Sequence, residues 1–350
     1  MAVATGPSAT DRPYDTPRTR WIRGPVTDTL IAWCWVPFAL VAWSMLGDMA
    51  RVSALFAATL LFSFAHQPLT NLFLYGDRHN PGRIAHMHLF VPVVALGVIV
   101  AGMAISPVLV AVIAGVWNAE HTLMQRFGLA RRYGRADGMA RLEKHMLLSW
   151  LALAAVWAAA DTRTAGWLPQ LSLGSRNRTA IQTLLDLGAV ARFALLPAVA
   201  VVITLTWRWW SAERALGPEL VNPAKRAYIA ATAALIAVMV VHPLVGIIAY
   251  VGSHSLEYFA FVTHTLSDKY GRGVTATDNA GEPLARTVGT VGALPLVAAY
   301  TAGLFGVLFV LESNGWYLAA TYMILTLGAM HLFFDAFVWR RRTRRATAIA

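Results

Sequence analysis

Charge is scarce in this chain: only 13% of its 350 residues are Asp, Glu, Lys or Arg. Soluble domains carry about a quarter, so a water-facing globular fold of this length is excluded. Cysteine is nearly absent. The single Cys34 rules out an intramolecular disulfide and any thiolate cluster, and within its apolar run it reads as a packed, inert thiol. There is no Walker loop, no Gly-rich dinucleotide turn after a strand, no HExxH and no CxxCH haem-attachment site. No polar stretch is long enough to form a nucleotide-binding domain.

Hydrophobic residues fill the space that charge leaves. They make up 57% of the chain, and the mean hydropathy is +0.54. Apolar runs of about twenty residues, each able to cross roughly 30 Å of hydrocarbon as a helix, recur along most of its length. The expectation is an all-α polytopic membrane protein with ten spans. The first five lie near Asp28–Leu46, Val52–Tyr75, His86–Ile105, Pro107–Arg126 and His145–Ala160. The second five lie near Asp186–Trp207, Ala227–His242, Leu244–Leu266, Thr287–Leu311 and Gly315–Trp339. Proline at Ser106–Pro107 and His242–Pro243 turns long apolar tracts into antiparallel hairpins. Residues 1–27, rich in Pro, Thr, Ser and Gly, read as a disordered cytoplasmic tail. Residues 28–339 form the membrane domain, and 340–350 a basic cytoplasmic tail.

The net charge of +11 does not point to nucleic acid, because the basic residues form short caps between spans rather than one face. With both termini inside the cell membrane, 24 of the 29 Lys and Arg residues fall in inner segments and four in outer ones. That asymmetry supports an even number of spans with cytoplasmic ends and contacts to anionic membrane lipids. A faint internal repeat accompanies it. The span from Pro107 exits through Arg132-Tyr133-Gly134, and the span from Pro243 exits through Lys269-Tyr270-Gly271.

On this layout nine of the ten histidines lie on the cytoplasmic side, with only His242 opposite. His79, His86, His88, His145 and His264 sit at or beyond helix ends, whereas His66, His121, His254 and His331 lie deeper. Ionisable groups within spans are costly and tend to be functional. Each deep histidine has polar company at helical spacing: Gln125 follows His121, Glu257 follows His254 at i+3, and Asp335 follows His331 at i+4. His264 shares a helix face with Glu257, roughly 10 Å along the axis.

Neutral imidazoles with carboxylates and no thiolate suit iron, manganese, zinc or copper. The candidate metal ligands are therefore His66, His121, His254, His331 and His264. Glu257 is a candidate ligand or bridge, and Asp335 a candidate for orienting His331. An interhelical hydrogen bond is the competing role for each deep histidine taken singly.

The many spans, the cytoplasm-facing histidines and the late His331–Asp335 pair are similar to features of membrane-integral histidine-rich iron enzymes. These comprise fatty-acid desaturases, alkane hydroxylases and carotene dioxygenases of the bacteriorhodopsin-related type. The HxxxH and HxxHH boxes of the first two are absent, so no residue role carries over from them. The resemblance implies one or two non-haem irons, a lipid-soluble substrate, O2-dependent oxidation and an external electron donor where the chemistry requires one. Two other classes stay open: a proton-coupled transporter, and a b-type haem protein clamped by paired histidines.

Overall fold

The computed structural model describes residues 21–77, 80, 86–134, 137–167, 178–271 and 283–338. Of the expected tails, residues 1–20 and 340–350 lie outside that set, as does His79, and the end of the expected 1–27 tail instead enters a helix at Pro25. Every regular element among the described residues is a helix, and the chain is an all-α, multi-pass membrane protein. The first seven helices are α1 (Pro25–Ala32), α2 (Trp35–Ser44), α3 (Met49–His66), α4 (Leu69–Gly76), α5 (Met87–Ile105), α6 (Pro107–Tyr133) and α7 (Ala140–Ala160). The rest are α8 (Thr162–Trp167), α9 (Arg178–Arg214), α10 (Pro223–Val241), α11 (Pro243–Tyr270), α12 (Pro283–Val291), α13 (Ala293–Ser313) and α14 (Tyr317–Val338).

Nine segments among the described residues are long and apolar enough to cross a membrane, α1–α2 and α3–α4 each counting as one. The expected span His145–Ala160 is the apolar part of α7. That helix is 21 residues long, about 30 Å at 1.5 Å per residue, and its first turns carry Arg141, Glu143 and Lys144.

Prolines explain where the helices break. Pro68 has no N–H for the Phe64 carbonyl, and the Gln67 amide takes that carbonyl instead. As a result α3 stops at His66 and α4 begins at Leu69. Pro37 acts in the same way, with the Val36 amide on the Trp33 carbonyl separating α1 from α2. The expected span Thr287–Leu311 also divides: Gly292, at φ +91°, takes a left-handed conformation that favours glycine and parts α12 from α13.

The two proline hairpins share one construction. Ser106 Oγ accepts the Leu109 amide at 3.2 Å, and His242 Nδ1 accepts the Val245 amide at 3.5 Å, each just before a proline at the first helical position. Both following helices end at glycine caps, Gly134 and Gly271. Unlike its expected extent, α6 continues past Arg126 to Tyr133, so Arg126 is buried rather than at an interface.

The most enclosed span is α11, with 72% of its apolar stretch buried against 6% for α9. Phe193, Leu196 and Ile203 of α9 are instead exposed, as lipid-facing residues are. Close approach of α2 to α11 requires Gly252, where a Cβ would lie 2.5 Å from the Phe38 ring. Two apolar cores flank the middle of α11. Leu244–Tyr250 pack with Leu123, Leu147 and Leu235 in one, and Tyr258–Tyr270 pack with Phe73, Leu284 and Phe334 in the other. His254 lies in the sequence between these two sets.

Candidate metal centre

Four helices each contribute one histidine to this seam. His66 is the last residue of α3, placed there by the Pro68 break, while His121, His254 and His331 project from α6, α11 and α14. The imidazoles form a closed ring. Centroids of neighbours lie 4.6 Å apart for His66–His254, 5.4 Å for His254–His121, 4.8 Å for His121–His331 and 5.0 Å for His331–His66. All four pairs meet edge to face. His66 and His254 are fully buried and His331 is 1% exposed.

Most nitrogens of this ring lack hydrogen-bond partners. Both nitrogens of His66, both of His254, Nε2 of His121 and Nε2 of His331 have no hydrogen-bond partner among the described residues. A buried unpaired polar group costs about 1–3 kcal/mol, so four such side chains in one place need a further partner. One nitrogen from each of His66, His254 and His331 lies within 4.8 Å of the others, and His121, His331 and Asp335 form a second such group. The ring therefore fits a metal ion. Imidazole lone pairs are its donors, and one carboxylate offsets part of its charge.

Around the ring sits a hydrogen-bonded shell. Thr70, one turn past His66 and across the proline break, places Oγ1 2.6 Å from Asp335 Oδ1, 2.6 Å from Tyr258 Oη and 2.9 Å from His331 Nδ1. Tyr258, at i+4 from His254, donates to Asp335 Oδ1 at 2.8 Å. Asp335 Oδ1 lies 3.5 Å from His331 Nδ1, and Oδ2 lies 3.6 Å from His121 Nε2. The Thr70 hydroxyl thus makes the short contact to His331, and the Asp335 carboxylate stands behind it.

Glu257 has a different set of partners. Its carboxylate is ion-paired with Arg126, their side chains 0% and 1% exposed. It also accepts from Gln125 Nε2 at 3.3 Å and lies 3.8 Å from Cys34 Sγ. Arg126 in turn donates to Thr232 Oγ1 and lies over the Tyr228 ring. Glu257 also lines a pocket of about 550 Å³ together with Tyr133, Tyr228, Phe261 and Asp268. His264 lines that pocket too, is exposed, and is not brought to the ring.

Sequence reasoning missed Thr70, Tyr258 and Arg126. Tyr258 carried a signal, its i+4 spacing from His254. The place of Thr70 depends on the helix break, and Arg126 was counted as an interfacial charge.

A second buried cluster has ligand-grade carboxylates as well. Asp137, Glu143 and Glu213 each have an oxygen within 4.8 Å of the others. Lys225 Nζ contacts all three, at 2.7 Å from Asp137 and 3.0 Å from Glu143. Arg131 bridges Asp137 and Glu143 at 2.7 Å each, and Arg226 reaches Glu213 at 3.1 Å. An ammonium already fills the place a metal would take. No protein-family model matches this chain, and neither does any curated protein or solved structure.

Proposed function

We propose that this protein is a membrane-bound non-haem iron oxygenase or hydroxylase whose centre is the ring of His66, His121, His254 and His331. The observation that carries the reading is the set of imidazole nitrogens without hydrogen-bond partners among the described residues, converging from four helices, with His66, His254 and His331 buried and His121 partly so. Such a donor set, nitrogen-rich and free of thiolate, suits iron, with manganese, zinc or copper as competitors. Bound there, iron would supply a site at which dioxygen is activated.

The chain's own residues do the rest. Four helix-borne imidazoles hold the ion, and the Asp335 carboxylate offsets one of its charges. The Arg126–Glu257 pair is neutral as a unit and leaves that balance unchanged. The apolar cores on either side exclude water and suit a substrate dissolved in the bilayer. In this reading the basic ends of the helices face the cytoplasm of the cell, where an electron donor would dock. Neighbouring imidazoles stand with centroids only 4.6–5.4 Å apart, close quarters for a porphyrin between two of them, which supports a bare ion over a b-type haem.

A proton-coupled transporter is the second reading, favoured by one observation: Glu257 lines the pocket yet lies one helical turn from His254. The two separate in one experiment. Iron-loaded protein in nanodiscs of native lipid extract is given an electron donor and 18O2, and lipid products are analysed by mass spectrometry. The oxygenase reading expects 18O in a lipid product and its loss in His254→Ala. Absence of label with iron bound would overturn it.

A further inference from the structure

With Asp335 ionised, the contacts at Thr70 favour one arrangement of protons. A threonine hydroxyl has one proton to donate and two lone pairs to accept with. Its three neighbours are Asp335 Oδ1, Tyr258 Oη and His331 Nδ1. The Asp335 carboxylate only accepts, and it receives both the Thr70 and the Tyr258 hydroxyls on the same oxygen. With its proton directed at Asp335, Thr70 can only accept from His331. The 2.9 Å contact then requires the His331 proton to be on Nδ1.

We propose that Thr70 is a positioning residue that fixes His331 in its Nδ1–H form and leaves the Nε2 lone pair facing the ring, with Asp335 and Tyr258 acting through it. Nε2 of His331 is the nitrogen without a partner, so the atom left bare is the one available to an ion. The reversed arrangement would put a proton on Nε2, which has no hydrogen-bond partner among the described residues. It would also leave two of the four contacts among Thr70, Tyr258, Asp335 and His331 without a proton, where the arrangement above leaves only Thr70–Tyr258 so. Carboxylates commonly set the tautomer of a ligating imidazole directly. Here the 3.5 Å separation of Asp335 and His331 is too long for that, and the hydroxyl fills the gap. The geometry needs no metal to be present, although its use for holding an ion rests on the proposed centre.

The test is 15N NMR of metal-free protein labelled at histidine, with the His331 signals assigned by their loss in His331→Gln. The expected result is a protonated Nδ1 and an unprotonated Nε2. Thr70→Val, which keeps the shape and removes the hydroxyl, should lose that preference and weaken Fe(II) or Co(II) binding by about 10–100-fold. Thr70→Ser should restore both. A proton on Nε2 of His331 in the unmodified protein would overturn the proposal. So would a Thr70→Val protein with unchanged tautomer and affinity. A protein that binds no metal but shows the Nδ1–H form would sink the metal centre alone and leave the role of Thr70 standing.

Discussion

At Lys225 three buried carboxylates surround one ammonium, and Arg131 and Arg226 supply the remaining positive charge. At the histidine ring four imidazoles meet, and six of their nitrogens have no hydrogen-bond partner among the described residues. Both clusters gather ligand-type groups from distant parts of the chain. The first is complete in itself, since its three cations balance its three anions. The second is not. The contrast teaches that proximity of ligand atoms says little about metal binding, and that an unmet demand for a partner says more.

The largest effect that would sharpen this contrast is expected at Lys225. Lys225→Met leaves Asp137, Glu143 and Glu213 facing one another, and removing one partner of a buried ionic set costs about 3–5 kcal/mol. Chemical denaturation in detergent should register that loss. His66→Leu provides the opposite arm. It removes two nitrogens without hydrogen-bond partners among the described residues from a fully buried site, so the metal-free protein should keep its stability or gain some. A His66→Leu protein destabilised as strongly as Lys225→Met would mean the ring is a structural network after all.

Asp335→Asn should have an intermediate effect, weakening metal affinity by about 10–100-fold through loss of the carboxylate behind His331. The Lys225 cluster should not respond to it, and thermal stability without metal should change little. Equal loss of stability and affinity would contradict the assigned role.

A smaller effect follows from pH. Burial alone would raise the Asp137 carboxyl, but hydrogen bonds from Lys225, the Met139 amide and Arg131 outweigh it and hold it below the usual carboxylate range. A lowered folded-state value means the contribution is full above the unfolded carboxylate range. It fades as pH falls from there through the lower folded value. Melting temperature should drop over that acid interval, and Asp137→Asn should flatten the drop. An unchanged slope in the variant would assign the acid sensitivity elsewhere.

Much of the architecture was legible because lipid imposes strong rules. Apolar runs of span length, the hairpin prolines Pro107 and Pro243, and the common depth of four histidines are visible in the residues alone. The breaks at Pro37 and Pro68 were less so, since a proline early in an apolar run is compatible with a kinked but continuous helix. Arg126 was read as a helix end because arginines usually cap spans. Its burial depends on Glu257 from α11, a pairing that one helix does not announce. The shell at Thr70 depends on three helices meeting after a break, and a hydroxyl carries no periodic signal.

The topology expected from the basic residues would put both clusters on the cytoplasmic side. Reporter fusions after Arg51 and after Gln170 should map outside, and one after Arg135 inside. Any reporter on the other face would redraw the spans and separate the clusters.

The central claim is that the histidine ring holds a metal and the Lys225 cluster does not. Metal analysis of detergent-purified protein, with a visible spectrum of the same sample, tests it most directly. The account predicts non-haem iron without a Soret band, lost in His254→Ala and retained in Glu213→Gln. Protein that is metal-free as isolated and takes up no iron on reconstitution would contradict it.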